Sequence, residues 1–307
     1  MKLISNAKDL KPGGKKVCLA IGVFDGVHLG HQQIIRQTVA DARQHDALAV
    51  VITFDRHPNA VVAPDRVPPL IYSLPQKQRA IGSLGADILL QIHFDEPFSR
   101  QTGEEFIRCL WRDPGKIQSV CVGADFVFGH RRSGNVALLQ KLGDELAFTV
   151  HGLAAVSLDK QIVSSTRIRE TIRAGNFDTA SQMLGRPYAI AGIVVAGDRL
   201  GRQLGFPTAN LEVTGLLLPP NGVYAGLINR EKVPHQAVLN IGLRPTLAAN
   251  APQLRVEAHL LDFNGDLYGQ ELEITFVVKL RDEEKFPSAE ALREQIARDI
   301  TEAKKRF

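Results

Sequence analysis

Two histidines, His28 and His31, close the segment Gly-Val-Phe-Asp-Gly-Val-His-Leu-Gly-His, which spans residues 22–31. They are three residues apart, so they share one face of the first turn of a helix that begins there. Free backbone N–H groups and the positive end of the helix dipole favour a phosphate at that position. Two imidazoles beside them are suited to stabilise a phosphate that gains negative charge during a reaction.

The residues on either side of this segment indicate the elements that position it. An apolar run over residues 16–21 predicts a buried strand, and an amphipathic run over residues 32–42 predicts a helix. Glycines between the two runs allow a tight turn and a close approach of the backbone to a ligand. A plain glycine turn with two exposed histidines is the alternative, but the strand before it and the helix after it favour a functional site.

Length, composition and charge limit the class of protein. The 307 residues exceed one ordinary domain and predict two. Hydrophobic residues make up 44% and charged residues 23%, which excludes a largely disordered chain. The net charge of +4 fits anionic small molecules such as nucleotides. Lys304, Lys305 and Arg306 are interpreted as a solvated helix end, so the sequence predicts no nucleic-acid partner.

The cysteines and the apolar runs bear on the cellular compartment. Cys18, Cys109 and Cys121 show no C-x-x-C spacing and are odd in number, which argues against a disulfide framework or a zinc site. Residues 1–14 lack the apolar stretch of a signal peptide. No apolar run approaches the roughly 20 residues of a membrane helix. We therefore expect a cytoplasmic enzyme without a membrane partner, and the sequence leaves protein partners open.

The first half of the chain alternates between strand-like and helix-like runs. This alternation predicts an α/β domain with a parallel sheet and helices on both faces. The predicted strands cover residues 16–24, 48–55, 86–94, 119–126 and 148–156, and the predicted helices cover residues 32–44, 76–84, 103–111 and 135–142. Such sheets bind ligands beyond the carboxyl ends of their strands.

Three of the predicted strand ends carry residues that suit a binding site. The first is the histidine segment, and the second holds Asp55. The third holds Asp125, Phe126 and Phe128. We expect these residues to gather at one edge of the sheet. Core packing is the alternative for the two phenylalanines, and a loop cap is the alternative for Asp125.

A second candidate motif is Val-Ser-Ser-Thr-Arg-Ile-Arg at residues 163–169. Serine and threonine favour a helix N-terminus, where N–H groups and hydroxyls face outward. Arg169, one turn later, adds a planar cation for the β- and γ-phosphates. Serines that cap a surface helix are common, so this motif gains its weight from its combination with the first. We expect Ser165, Thr166 and Arg169 to contribute to phosphate binding.

Both motifs resemble the signatures of the nucleotidyltransferases that carry His-x-Gly-His, in the branch that makes FAD. The resemblance implies a Rossmann-like domain in which the histidines stabilise the α-phosphate of ATP, without a covalent nucleotidyl-enzyme. It implies ATP binding by Gly22, Phe24, Asp25, His28, His31, Ser165, Thr166 and Arg169. It also implies a flavin site that involves Asp55, Asp125, Phe126 and Phe128. Val163 stands where the family has isoleucine, which is a mild apolar exchange.

The second half of the chain predicts a different architecture. Its β-rich runs are short and separated by Gly, Pro and Asn, at residues 188–196, 222–228, 236–241, 255–263 and 271–280. They predict an antiparallel barrel or sandwich. The helical pattern before them ends at Gly-Arg-Pro, so the predicted domains are residues 1–185 and 186–307. A helix over residues 288–305 is predicted to pack on the barrel.

Residues 201–211 hold candidate ligands for phosphate and for a metal ion. The P-loop pattern is absent, but Gly201 and Gly205 offer backbone N–H groups to phosphates. Thr208 and Asn210 offer oxygen atoms two residues apart, which suit Mg²⁺ beside phosphate oxygens. Turn chemistry after the preceding proline is the alternative for both residues.

Glu257 is the candidate general base of the second half. Strand alternation puts Arg255, Glu257 and His259 on one face, and such a row is either solvated or lines a site. A carboxylate that lines a site can accept a proton during a reaction, which makes Glu257 the candidate base of this row. We interpret His259 as structural.

The second half resembles riboflavin kinases, with matching segments in order at residues 201–211, 219–224, 240–246, 256–259 and 267–269. The resemblance implies that Glu257 is the catalytic base and that Thr208 and Asn210 hold Mg²⁺ with ATP. It also implies that Arg281 and the region of Phe286 help to enclose the flavin.

Taken together, the two halves resemble the prokaryotic bifunctional riboflavin kinase/FMN adenylyltransferases. The resemblance implies that riboflavin, FMN and ATP are the small-molecule substrates and that FAD is the final product. A nucleotidyltransferase for another substrate, such as nicotinamide or pantetheine phosphate, is one alternative. A non-catalytic flavin-binding module is the other, and a chain in which one half has lost its activity is a further variant.

Overall fold

The chain divides into two compact units. A computed structural model describes residues 1–112, 116–198, 200–230, 233–244 and 253–307. One unit comprises residues 1–70 and 74–165, and the other comprises residues 71–73 and 166–307. Residues 166–185 thus group with the second unit, and the boundary after residue 185 stays a prediction. The last two residues of the segment 240–246 lie outside the described residues.

A parallel sheet forms the centre of the first unit. The strands of this unit are β1 (Lys2–Ile4), β2 (Val17–Ile21), β3 (Leu48–Phe54), β4 (Ile88–Ile92), β5 (Ile117–Gly123), β6 (Val127–Phe128), β7 (Gly134–Asn135), β8 (Thr149–Leu153), β9 (Ser157–Leu158) and β10 (Gln161–Ile162). Six of them pair in parallel in the order β1-β4-β3-β2-β5-β8, which confirms the predicted sheet. Edge strand β1 gives no sequence signal, because three residues are too few to show a period.

Helices cover both faces of this sheet, as predicted. They are α1 (Leu29–Gln44), α2 (Asn59–Val62), α3 (Leu74–Gly82), α4 (Glu96–Ser99), α5 (Gly103–Arg112) and α6 (Val136–Leu146), with 3-10 turns at Ala7–Asp9, Asp25–Val27, Pro64–Arg66 and His130–Arg132. Neighbouring residues of β2 pack in different cores. Leu19 packs with Leu110 and Leu139 from α5 and α6, whereas Ala20 packs with Ile35 from α1.

The second unit is a closed antiparallel barrel with a C-terminal helix. Its strands are β11 (Ala189–Val195), β12 (Ala209–Leu211), β13 (Gly222–Arg230), β14 (Val233–Arg244), β15 (Gln253–Leu260) and β16 (Glu271–Arg281). The remaining helices are α7 (Ser165–Arg173), α8 (Phe177–Leu184), α9 (Leu200–Gln203) and α10 (Ala289–Lys304). The barrel closes in the order β11-β12-β15-β14-β13-β16, which decides between the predicted barrel and sandwich. Strand β12 is too short to give a sequence signal.

Stacked aromatic rings join helix α8 to the barrel. The ring centroids of Phe177, Tyr188 and Phe276 lie 5.3 to 6.0 Å apart. The fully buried hydroxyl of Tyr188 donates to the carbonyl oxygen of Leu217 at 2.9 Å. Burial raises the pKa of Tyr188, so its hydroxyl stays a donor.

Tyr188→Phe is expected to lower the free energy of unfolding by about 1–3 kcal/mol, because the Leu217 carbonyl then stays buried without its donor. Urea unfolding followed by circular dichroism measures the change. Tyr268→Phe is the matched control, since Tyr268 is 51% exposed, and it should leave the midpoint unchanged. Equal midpoints for Tyr188→Phe and the wild type would contradict the assigned hydrogen bond.

Candidate active sites

The segment of residues 22–31, here called the histidine turn, has a strained backbone. Phe24 precedes the 3-10 turn Asp25–Val27 and Val27 is its last residue, and both adopt left-handed conformations, with φ of 51° and 41°. Such conformations cost about 1–3 kcal/mol each in residues other than glycine, and they cluster at functional sites. Both side chains are almost fully buried, so the surrounding protein holds the turn in this form. A Cβ at Gly22 would lie 2.9 Å from the ring of Phe24, which explains the glycine there.

The two histidines of this turn lie against each other. Their ring centroids are 3.6 Å apart and their planes differ by 24°, which confirms the shared face that the spacing predicts. The edge of Phe24 supports His31 at a centroid distance of 5.2 Å. His28 is 7% exposed and stands immediately before the first residue of α1. The N-terminus of a helix and two imidazoles therefore meet at the end of β2.

The second predicted motif begins next to this turn. The hydroxyl of Ser165 donates to the backbone carbonyl of Asp25 at 3.1 Å. Ser165 is the first residue of α7 and the last residue of the first unit. Thr166 and Arg169 follow in the same helix and belong to the second unit, and Arg169 is 7% exposed. The phosphate roles of all three residues stay predictions.

A buried lysine of α3 contacts the end of β3, and the sequence did not single it out as a site residue. The ammonium of Lys77 donates to the carbonyl oxygen of Phe54 at 2.8 Å and to the hydroxyl of Thr53 at 3.3 Å. Burial lowers the pKa of Lys77 to about 8, and the nearby Asp25 and Asp55 carboxylates oppose this shift. Lys77 lies in an amphipathic helical run, in which a lysine ordinarily faces solvent.

A cavity of about 800 Å³ with aromatic walls opens in the first unit, and we call it the aromatic cavity. Its phenylalanines are Phe54, Phe94, Phe98, Phe106, Phe126 and Phe128. The rings of Phe126 and Phe128 are stacked at 5.1 Å, and both also pack against the core. These two residues therefore both pack against the core and line the cavity. Flat apolar walls of this kind suit a planar aromatic ligand.

Basic residues stand at the edge of the aromatic cavity. Arg131 and Arg132 line it, are exposed, and have positive φ angles of 52° and 61°. The ring of Phe128, which also lines the cavity, lies against Gly134, where a Cβ would be 2.7 Å from that ring. An apolar wall next to two guanidinium groups suits a ligand that is aromatic at one end and phosphorylated at the other.

Two of the predicted flavin residues lie outside the described lining of this cavity. Asp125 is exposed in the turn after β5. Asp55 accepts from the ring of His93 at 2.6 Å and from the N–H of Phe94 at 3.1 Å. Burial raises the pKa of Asp55, but these hydrogen bonds and Arg56 outweigh it and lower the pKa overall. Contacts of Asp55 and Asp125 with flavin stay predictions.

A second cavity, of about 880 Å³, is lined by barrel residues, and we call it the barrel cavity. Glu257 on β15 lies opposite Asn210 on β12 and opposite Asn240 on β14. Residues opposite each other on neighbouring strands share one face of the sheet, and all three line the cavity. Arg255 and His259, from the same row as Glu257, line this cavity as well, and the role of the row in a site stays a prediction.

One oxygen of the barrel cavity is left for a ligand. Among the described residues, no donor reaches the buried Oδ1 of Asn210. Gly197 allows the Asn210 side chain to lie close to the backbone, because a Cβ there would be 2.2 Å from Nδ2. A buried amide oxygen without a donor fits a hard cation such as Mg²⁺, and Thr208 lines the same cavity. No cluster of three His, Cys, Asp or Glu side chains suits a metal in the part of the chain that is described.

The neighbouring residues hold this ligand segment in place. His259 donates from Nδ1 to the carbonyl oxygen of Pro207 at 2.8 Å, which supports its structural interpretation. Gly201 lines the cavity, and a Cβ there would lie 2.5 Å from the carbonyl oxygen of Phe206. Gly205 lies outside the described lining, and its φ of +92° is a turn conformation that favours glycine. Phosphate binding by both glycines stays a prediction.

Arg281 lines the barrel cavity, and a carboxylate on α10 fixes its position. Its Nε and Nη2 donate to the two oxygens of Asp299 at 2.9 and 2.8 Å. The guanidinium lies 5.6 Å from the ring centroid of Phe286. The hydrogen bonds to Asp299 raise the pKa of Arg281. Asp299 is 5% exposed, and in the sequence it looks like any polar position of an amphipathic helix.

The cysteines and the helices yield two further findings. Cys18 and Cys121 are buried, and burial raises the pKa of both thiols, to about 12 for Cys121. Both are therefore core residues. None of the helices in the described ranges combines the length and apolar character that crossing a bilayer requires.

Comparisons with known proteins cover both units. The sequence matches the family model of FAD synthetase over residues 11–167 and that of riboflavin kinase over residues 184–307. It is 37% identical to the bifunctional riboflavin kinase/FMN adenylyltransferase of Escherichia coli K12, over 100% of this chain and 98% of that protein. The protein of the same name from Pseudomonas fluorescens is 36% identical over 99% of this chain and 97% of that one. A crystal structure titled as a macrolide-efflux protein from Streptococcus pneumoniae superposes with a TM-score of 0.82, at 28% identity and 98% coverage of both chains.

Proposed function

The chain belongs to the family of bifunctional riboflavin kinase/FMN adenylyltransferases, and we propose that the barrel cavity and the histidine turn each carry one of its two reactions. The enzyme phosphorylates riboflavin with ATP to give FMN. It then transfers AMP from a second ATP to FMN, which gives FAD and pyrophosphate. Because both halves match these families, a nucleotidyltransferase for another substrate and a non-catalytic flavin module are set aside.

In the barrel cavity, Glu257 is proposed to act as the general base. Its carboxylate accepts the proton of the riboflavin 5′-hydroxyl as that oxygen attacks the γ-phosphorus of ATP, and ADP leaves. Thr208 and Asn210 would hold Mg²⁺, which supplies positive charge beside the phosphates. The observation that carries this assignment is the pairing of Asn210 with Glu257 in the barrel, which puts a metal ligand and a base on one face.

In the first unit, the histidine turn is proposed to bind the triphosphate of ATP. A phosphate oxygen of FMN attacks the α-phosphorus, and the bond to the pyrophosphate oxygen breaks. His28 and His31 donate hydrogen bonds to the α-phosphate as its negative charge grows. The aromatic cavity takes the flavin ring of FMN, and Arg131 and Arg132 face its phosphate.

A cytoplasmic location is proposed as well. Three free cysteines and the use of ATP support it. The mild net charge of +4 supports anionic small molecules, rather than nucleic acid, as partners.

His28→Ala and His31→Ala are each expected to slow adenylyl transfer about 10²–10³-fold, because a donor to the α-phosphate is lost. Riboflavin phosphorylation should continue at the wild-type rate. Chromatography of the flavins formed from riboflavin, ATP and Mg²⁺ should therefore show FMN accumulating without FAD. Equal loss of both products in a folded variant would contradict the division of labour.

Glu257→Gln is expected to slow FMN formation about 10²–10⁴-fold, because the amide cannot accept the hydroxyl proton. The variant should still convert supplied FMN to FAD. Glu294→Gln changes an exposed carboxylate on α10 and serves as the control. The assignment fails if Glu257→Gln phosphorylates riboflavin as fast as the control.

Asn210→Ala is expected to raise the Mg²⁺ concentration that half-saturates riboflavin phosphorylation, because one oxygen ligand is lost. Asn210→Asp keeps an oxygen and should require less Mg²⁺ than Asn210→Ala. Initial rates across a Mg²⁺ titration give the two values. An unchanged Mg²⁺ requirement in both variants argues against a metal at Asn210.

A further inference from the structure

Lys77 carries a charged side chain but is almost fully buried, at 9% exposure. Burying a charge is costly unless hydrogen bonds and opposite charges compensate for it. The ammonium of Lys77 meets this condition with two oxygen acceptors, the Phe54 carbonyl and the Thr53 hydroxyl. None of the catalytic steps assigned above uses this residue.

The hydrogen bonds of Lys77 connect two parts of the adenylyl-transfer site. Through Phe54 they hold the carboxyl end of β3. Thr53 in turn donates to the carbonyl oxygen of Val23, inside the histidine turn, at 2.9 Å. Val23 and Phe54 both line the aromatic cavity. A single ammonium thus ties the turn proposed for ATP to the wall proposed for flavin.

We propose that Lys77 is a positioning residue for adenylyl transfer, which holds the histidine turn and the aromatic cavity at the separation that in-line attack requires. This inference rests on the assignment of adenylyl transfer to the histidine turn. Attack on the α-phosphorus needs the two substrates aligned, and a displacement of about 1 Å costs about a hundredfold in rate. Lys77 acts here through Phe54, Thr53 and Val23.

The charge of Lys77 gives this role a pH dependence. Asp25 and Asp55 favour the ammonium, whereas burial disfavours it, and the resulting pKa is about 8. Arg56 and His93 also contact the Asp55 carboxylate, with the nearest nitrogen and oxygen atoms 3.5 and 2.6 Å apart. The cation is present below this pH and is lost above it, so adenylyl transfer should fall as the pH rises through about 8.

Global stability should respond in the opposite direction. The unfolded chain keeps its lysine protonated to a higher pH than the native state does, and therefore binds more protons between the two pKa values. The contribution of Lys77 to the free energy of unfolding thus rises with pH over the same interval. If Lys77 were purely structural, no loss of adenylylation activity would be expected over this pH interval.

The experiment compares Lys77→Met and Lys77→Arg in the full-length chain, with Lys141→Met as the control. Lys141 is an exposed lysine on α6 of the same unit. FMN adenylylation, riboflavin phosphorylation and thermal unfolding are measured between about pH 6 and about pH 10. Lys77→Met should lower kcat of adenylylation by at least about ten-fold, with riboflavin phosphorylation unchanged. Lys77→Arg should recover part of kcat and shift the alkaline fall in activity to higher pH, because arginine stays charged.

Several outcomes would overturn the inference. One is a Lys77→Met variant with the kcat and KM of the control. Another is a wild-type adenylylation rate that does not fall above about pH 8. If Lys77→Met does not fold, Lys77→Arg decides, and a pH profile identical to that of the wild type rejects the role. A wild-type chain that makes no FAD from FMN would instead remove the parent assignment, so the two failures are distinguishable.

Discussion

The strained backbone of the histidine turn is the constraint on which the first unit depends. Phe24 and Val27 are held in left-handed conformations because their side chains are buried. This conformation brings the rings of His28 and His31 to a centroid distance of 3.6 Å at the start of α1. The free energy that the turn costs is supplied by the cores on the two faces of the sheet. Preorganised donors of this kind need no rearrangement when charge develops on a phosphate.

In the barrel, strand pairing positions the residues of the candidate site. Its cavity has no glycine-rich P-loop, and strand register does the positioning instead. Pairing of β12 with β15 puts Asn210 opposite Glu257, and a shift of one residue would turn one of them away from the cavity. Gly197 and His259 then fix the Asn210 side chain and the backbone before Thr208. In each half, backbone geometry positions the side chains that are proposed to meet phosphate.

Much of this could be predicted from the sequence, because the relevant signals are local. Strand and helix periods gave the parallel sheet and the barrel, and the spacing of His28 and His31 gave their shared face. Strands β1 and β12 were not predicted, because each has only three residues. The burial of Lys77 and Asp299 was not predicted, because it depends on partners distant in the sequence. The sequence of their own helices does not distinguish them from exposed polar residues. Asp125 lies outside the described cavity lining. The position of a strand end predicts an edge of the sheet, but it does not predict which side chains face inward.

The central claim is that the two stacked imidazoles meet the α-phosphate of ATP. The chain has nine histidines, whose ring resonances can be assigned by NMR with single His→Gln variants. Titration with an ATP analogue whose α,β-bridge resists cleavage then reports which rings sense the triphosphate. The account predicts that the resonances of His28 and His31 shift together, with one shared dissociation constant. Shifts confined to other histidines, with His28 and His31 unmoved at saturation, would contradict it.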